Sequence, residues 1–131
     1  MLRHEFVVVG RPVSRRASPR SKRRYKQQIR EAARGVFAGR PSSEPIALTV
    51  RYFHWGAQKI DGDNLLSVIA DALTGLAYDD DDQVETHHID KINMTRSYRL
   101  MDPPEEVLDH LEGQREFVWI RVSLVRVIHI S

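Results

Sequence analysis

Residues 61–84 read DGDNLLSVIADALTGLAYDDDDQV, an apolar segment with carboxylates at both ends. Its apolar residues recur at steps of three and four, the spacing of a helix that packs one face against a core. They are Leu65, Val68, Ile69, Ala72, Leu73 and Leu76. We expect this helix to begin at Asp63 or Asn64, because Asp and Asn are favoured at helix starts.

Four apolar segments around this helix, rich in β-branched and aromatic residues, predict strands. They are residues 4–10, 46–55, 83–94 and 116–130. A further helix is expected from Ser21 to about Gly39, and a short surface helix in PPEEVLDHLEG, residues 103–113. The main order, β-α-β-α-β-β, predicts an α+β fold in which two helices pack on a mixed sheet. The length suits a single compact domain over residues 1–131.

The composition excludes several classes of protein and site. The chain has no cysteine, so it forms neither disulfides nor thiolate metal sites, and this agrees with a reducing cytosol. Its N-terminal apolar run is too short for a secretory signal, and nowhere do about 18 apolar residues run together. We therefore expect a soluble, cytoplasmic protein with no membrane partner.

The net charge of +2 conceals a division along the chain. Residues 1–50 contain twelve Lys or Arg and three acids, whereas residues 51–131 contain eight and fifteen. Such a chain suits binding of a polyanion together with a cation, although charge alone fits a solvated basic face equally well. The basic residues that we assign to nucleic-acid binding are Arg15, Arg16, Lys22, Arg23, Arg24, Lys26, Arg30, Lys59 and Lys91.

The two acidic groups suggest a metal site. Asp61 and Asp63 face the same side if the chain is extended there, and residues 79–82 return beside them at the strand ends. Carboxylates grouped without cysteine suit Mg²⁺ or Mn²⁺, ions that activate water and stabilise charge in phosphoryl transfer. For either segment alone, a helix cap and a solvated loop are the better explanation. Both segments together, beside a basic region, favour metal-dependent chemistry.

Two histidines, His87 and His88, adjoin within the third predicted strand. Because strand side chains alternate, they face opposite sides of the sheet and do not chelate one ion together. We interpret both as surface or sheet residues.

The motif D-x-D-N-L at 61–65, followed by D-A-L at 71–73 and D-D-x-Q-V at 80–84, resembles the central motif of the RusA-type Holliday junction resolvases. Weaker similarity extends over most of the chain, and PPEEVLDHLEG looks like an insertion. The resemblance implies a homodimer that binds four-way DNA junctions and makes paired nicks in opposing strands. It also implies a divalent-metal site formed by three aspartates, here Asp61, Asp63 and Asp81, with Asp80 as the adjoining acid.

One residue departs from that motif. The resemblance implies a catalytic lysine one turn into the helix, where this chain has Ser67. A hydroxyl does not replace the positive charge beside a phosphate, unless Lys59 or Lys91 reaches the site.

The leading hypothesis is a Mg²⁺-dependent endodeoxyribonuclease that resolves Holliday junctions in DNA recombination and repair. One alternative is a nucleic-acid-binding module with weak or no nuclease activity. Another is a metal-dependent nuclease for a different branched DNA or RNA.

Overall fold

Seven helices and strands and one 3₁₀ turn lie within residues 3–125, the part of the chain that the computed structural model describes. The strands are β1 (Arg3–Val9), β2 (Ile46–His54), β3 (Val84–Asn93) and β4 (Phe117–Leu124). The helices are α1 (Pro19–Arg34), α2 (Gly62–Leu73) and α3 (Glu105–Glu112), and the 3₁₀ turn is Asp81–Gln83. This order confirms the predicted α+β fold, with the short helix α3 before the last strand.

The four strands form one mixed sheet in the order β1-β4-β2-β3. β4 is antiparallel to both β1 and β2, whereas β2 and β3 are parallel. A parallel pair needs a crossover connection, and α2 supplies it. The start of α2 therefore lies near the carboxyl end of β2, and the chain after α2 returns to the amino end of β3.

The main core lies between the sheet and the two longer helices. Leu48 and Val50 of β2 share a fully buried cluster with Leu65 and Ile69 of α2 and Ile29 of α1. Burying one such aliphatic side chain stabilises the fold by about 1.5–3 kcal/mol. Hydrophobic burial thus holds α2 against the strands that precede and follow it.

α3 covers the opposite face of the sheet. Its Val107 packs in a second buried cluster with Val7, Phe53, Phe117 and Trp119. The rings of Phe53 and Phe117 stack with their centroids 4.5 Å apart. β2 therefore has buried side chains on both faces, although Thr49 and Arg51 remain partly exposed.

Polar contacts also join α1 to the end of α2. The Arg30 Nη1 atom donates to the carbonyl oxygens of Ala72 at 2.8 Å and Thr74 at 3.1 Å. The last carbonyls of a helix have no partner within it, so this guanidinium satisfies groups that would otherwise need water. Lys26 Nζ lies 2.5 Å from Asp71 Oδ2, but both side chains are partly exposed and such a pair stabilises little.

The predicted bounds of α1 are wrong at both ends. The helix begins at Pro19, because Ser18 caps it through a hydrogen bond from the Ser21 backbone N–H, and proline is tolerated at the first helical position. It ends at Arg34 rather than near Gly39. Of the predicted last strand, β4 accounts for Phe117–Leu124, and residues 126–130 lie outside the described residues.

The longest helix, α1, has 16 residues and carries charged side chains on one face. A membrane-spanning helix needs about 20 predominantly apolar residues. Accordingly, no helix within residues 3–125 is long and apolar enough to cross a bilayer.

Candidate metal and nucleic-acid site

A cavity of about 500 Å³ lies between α2, the 3₁₀ turn and β3. Its polar lining consists of Asp63 and Ser67 from α2, Asp81 and Asp82 from the turn, and His87 from β3. Along α2 the lining continues from Asp63 to Ala70, a rise of about 10 Å. The structure therefore brings Asp63 and Asp81, two of the predicted metal ligands, into one elongated cavity.

Asp61 caps α2 and lines a different surface. Its Oδ1 atom accepts hydrogen bonds from the backbone N–H groups of Asp63 at 2.9 Å and Asn64 at 3.3 Å. The helix thus begins at Gly62, one or two residues earlier than predicted, and Asp61 and Asp63 do not alternate as in a strand. A neighbouring groove of about 670 Å³ is lined by Asp61 together with Ser14, Arg15, Arg16 and Lys59. We call it the basic groove.

The acidic turn before β3 is held in place by its own side chains. Asp80 Oδ1 accepts from the Asp82 backbone N–H at 2.9 Å, and Gln83 Oε1 accepts from the Asp80 backbone N–H at 2.8 Å. Gln83 Nε2 also donates to the carbonyl oxygens of Ser42 at 2.8 Å and Glu44 at 3.0 Å. Capping therefore accounts for Asp80, as it does for Asp61, while the turn fixes the backbone that carries Asp81.

Like charges are crowded in this turn. Ligand atoms of Asp80, Asp81 and Asp82 lie within 4.8 Å of one another, and all three side chains are exposed. A hydrogen bond with Asp80, some loss of hydration and the negative charges of Asp80, Asp82 and Asp71 together raise the pKa of Asp81. A bound cation would relieve this repulsion. Carboxylate oxygens are hard ligands, so the donor set fits Mg²⁺ or Mn²⁺.

The predicted metal ligands are grouped only in part. Within residues 3–125, the acidic or histidine residues that meet in threes at this spacing are Asp80, Asp81 and Asp82. Asp63 shares their cavity, and Asp61 lies in the adjoining basic groove. The assignment of Asp61, Asp63 and Asp81 to one ion stays a prediction.

Four of the nine predicted DNA-binding residues have partners within the chain. Besides Lys26 and Arg30, Lys91 Nζ donates to the carbonyl oxygen of Ile60 at 3.0 Å. Arg15 Nη1 lies 3.9 Å from Asp61 Oδ2, an exposed contact that stabilises little. Within residues 3–125 the other five side chains make no hydrogen bond or ion pair. They are Arg16, Lys22, Arg23, Arg24 and Lys59.

A partly buried carboxylate anchors the basic loop that follows β1. Glu116 accepts hydrogen bonds from Arg11 Nε at 3.2 Å, from Arg11 Nη2 at 2.9 Å and from the Tyr52 hydroxyl. Its carbonyl oxygen also accepts from the backbone N–H of Gly10 at 2.8 Å. Gly10 has a φ of 105°, which glycine adopts without strain, so the chain turns there from β1 into the loop that carries Arg15 and Arg16.

The charges of this anchor are set by its contacts. Burial alone would raise the pKa of Glu116, but the hydrogen bonds from Arg11 and Tyr52 and the charge of Arg11 hold that pKa below its ordinary value. Burial and then the hydrogen bond to Glu116 raise the pKa of Tyr52, so Tyr52 remains a hydroxyl donor. Glu116 is thus a carboxylate at neutral pH.

The sequence alone did not predict the roles of two residues in this region, Glu116 and His87. Glu116 lies 105 residues from its partner Arg11, and no local motif links them. His87 is an exposed residue of the sheet, as interpreted, but its place in the lining of the acidic cavity was not predicted. Alternation within the strand separates His87 from His88, but which of the two faces α2 depends on the pairing of β3 with β2.

A family model described as endodeoxyribonuclease RusA matches residues 1–100. The chain belongs to the RusA endodeoxyribonuclease family. The resemblance inferred from the motif is confirmed, and this family acts on Holliday junction DNA. The match includes α2, the acidic turn and β3, and it ends before α3 and β4. No individual curated protein matches the chain at a significant level.

The Glu116 anchor predicts a pH-dependent stability. The folded pKa lies below the ordinary value of 4.5, so the carboxylate stabilises the fold fully above that value and loses its effect as pH falls through the folded pKa. We expect Glu116→Gln to lower the free energy of unfolding by about 1–3 kcal/mol at pH 7. The difference from wild type should shrink towards pH 3. Urea denaturation at both pH values measures it.

The exposed Glu106→Gln on α3 is the matched control, because it removes a carboxylate without removing this anchor. A Glu116→Gln effect that stays constant from pH 7 to pH 3 would contradict a role for the ionised carboxylate.

Proposed function

We propose that this protein is a Mg²⁺-dependent endonuclease that resolves four-way DNA junctions by paired, symmetric nicks. Membership of the RusA family supports nuclease activity on Holliday junction DNA. The observation that carries the proposal furthest is the shared cavity of Asp63 and Asp81, which adjoins a groove lined by Arg15, Arg16 and Lys59. The cavity proposed to hold a cation therefore lies beside the groove proposed to hold phosphates.

The proposed metal ligands are Asp61, Asp63 and Asp81, with Asp80 as the adjoining acid. The proposed ion is Mg²⁺, and Mn²⁺ can substitute for it. Three observations support them: the donors are all carboxylate oxygens, a hydrogen bond with Asp80 together with lost hydration and neighbouring negative charges raises the pKa of Asp81, and two of the acids share a cavity. When bound, the ion would stabilise charge on the phosphoryl group and activate the attacking water.

The basic groove is proposed to hold the DNA backbone on either side of the scissile phosphate. Asp61 at its edge is also the cap of the helix that carries Asp63, so DNA in this groove lies close to the acids. The exposed contact between Arg15 and Asp61 can exchange for a phosphate at little cost. Lys22, Arg23 and Arg24 at the start of α1 extend the same basic segment.

Paired nicks in opposing strands require two equivalent sites. A homodimer with twofold symmetry provides them, because a four-way junction presents two equivalent strands. We therefore propose that the active form is a homodimer, acting on cytoplasmic DNA during recombination and repair.

Asp63→Asn separates cleavage from binding. The amide keeps the size of the side chain but removes the charge that holds a cation, so cleavage of a synthetic four-way junction should fall at least a hundredfold, about 2.7 kcal/mol. Affinity for the junction should stay the same or increase, because a negative charge near the phosphates is removed. Single-turnover cleavage in Mg²⁺ and gel-shift titration in EDTA measure the two quantities.

Asp109→Asn on α3 is the control, since it removes an acid on the opposite face of the sheet. Normal cleavage by Asp63→Asn at limiting Mg²⁺ would remove Asp63 from the metal site. Tight junction binding by a wild-type protein that does not cut in Mg²⁺ or Mn²⁺ would favour the binding-module alternative.

The basic residues should govern the salt dependence of binding. Replacing Arg15, Arg16, Arg23 and Arg24 together by Ala should weaken binding and reduce the slope of log affinity against log salt by up to about 3.6, because each lost phosphate contact removes about 0.9. The comparison is Arg96→Ala with Arg99→Ala, two exposed arginines in the loop before α3. A slope that the fourfold variant leaves unchanged would place the DNA elsewhere.

A further inference from the structure

The acidic cavity needs a hydrogen-bond donor if it is to hold a phosphate. Three of its lining residues are acids, and Ser67 stands where the resemblance to the family implies a lysine. Of the two lysines considered as replacements, Lys91 donates to the carbonyl oxygen of Ile60, and Lys59 lines the basic groove instead. Among the described lining residues of this cavity, two side chains carry a donor, the short Ser67 hydroxyl and the longer His87 imidazole, and of these His87 has the N–H.

Strand pairing fixes the side of the sheet to which His87 points. His87 pairs with Leu48, which is fully buried beneath α2, and paired residues of neighbouring strands project to the same side. His88 pairs with Thr49 and projects to the other side, where its Nε2 atom lies 2.8 Å from Asp90 Oδ2. Only the first of the two adjacent histidines is therefore on the side of the acids.

The position of His87 along β3 is also fixed by contacts. A Cβ on Gly62 would lie 3.5 Å from the side chain of Ile89, so the start of α2 is level with Ile89. His87 precedes Ile89 by two residues, about 6.6 Å along the strand. Because α2 runs opposite to β3, the same distance corresponds to four or five helical residues, which leads from Gly62 to Leu66 and Ser67. His87 is thus level with Ser67, across the same cavity.

We propose that His87 is a catalytic residue whose imidazole donates a hydrogen bond to a non-bridging oxygen of the scissile phosphodiester. The proposal rests on the nuclease function proposed above and assigns to His87 the place of the lysine in the family motif. Donors aimed at oxygens that gain charge stabilise the transition state. No bond forms or breaks at His87, and the neutral imidazole has the one N–H that this role needs.

Nothing else in the described fold uses this side chain. His87 is exposed and makes no hydrogen bond or ion pair within residues 3–125. A polar residue on an edge strand can simply discourage pairing with another sheet. That ordinary explanation predicts no effect on catalysis, so kinetics distinguishes it from the proposal.

The first experiment compares two alanine variants. His87→Ala should reduce the single-turnover rate on a four-way junction, at saturating DNA and Mg²⁺, by tenfold or more, which is about 1.4 kcal/mol. The matched control is His88→Ala, which removes the adjacent imidazole on the other side of the sheet and should stay within twofold of wild type. Equal rates for His87→Ala and wild type would overturn the proposal and leave the nuclease function standing.

The second experiment tests whether positions 67 and 87 share one role. Ser67→Lys should restore most of the activity lost in His87→Ala and should raise the rate of wild type much less. A similar gain in both backgrounds would show independent roles and contradict the proposal. So would a sharp loss in Lys59→Ala or Lys91→Ala with none in His87→Ala, because another cation would then supply the charge.

The third experiment needs no cleavage. In Asp63→Asn, the imidazole NMR signals of His87, assigned by their loss in His87→Ala, should shift when uncut junction is added in EDTA, and those of His88 should not. Unshifted His87 signals on bound DNA would overturn the contact.

Mn²⁺ titration of His87→Ala should give the wild-type affinity for the ion, and a loss of affinity would overturn the proposal by making His87 a metal ligand instead. Failure of wild type to cut in either metal would count against the nuclease function alone, since the NMR contact is measured separately.

Discussion

The parallel pairing of β2 with β3 determines where the candidate metal ligands and His87 lie. Parallel neighbours require a crossover, and the crossover helix α2 must run back along both strands. Its start therefore carries Asp61 and Asp63, and the chain that re-enters the sheet carries the acidic turn. Burial of Leu65 and Ile69 against Leu48 and Val50 holds this arrangement. The acids are thus assembled by the same hydrophobic contacts that build the core.

Two surfaces of opposite charge meet at the amino end of α2. The cavity on one side contains Asp63 and the crowded Asp81, whereas the basic groove on the other contains Arg15, Arg16 and Lys59. Asp61 links the two, because it lines the basic groove near Arg15 and caps the helix that carries Asp63. The basic groove depends in turn on Glu116, which fixes the beginning of its loop through Arg11. A nuclease needs this combination, since phosphates must be held beside the acids that would otherwise repel them.

The sequence predicts those features that depend on local spacing. The apolar stripe of α2 from Leu65 to Leu73, the alternation of His87 and His88 and the order of helices and strands along the chain follow from periodicity, and the structure confirms them. Leu76, expected on the same stripe, lies beyond the end of the helix at Leu73. The predicted start of α2 was one or two residues too late because Asp61, Asp63 and Asn64 are all favoured N-cap residues. The backbone geometry shows that Asp61 is the N-cap. The Glu116 anchor joins residues 105 positions apart. A register shift between Ile46 and Ala47 in the pairing of β2 with β3 decides which histidine faces α2. Strand periodicity alone does not predict such a shift.

The most direct test of the account is the cleavage pattern of a synthetic four-way junction with each strand labelled in turn, in Mg²⁺ and in EDTA, beside a linear duplex of the same sequence. We expect nicks at symmetric positions in two opposing strands, dependent on Mg²⁺, with the duplex left intact. Cleavage of the duplex at a comparable rate, or nicks confined to one strand, would contradict a symmetric junction resolvase.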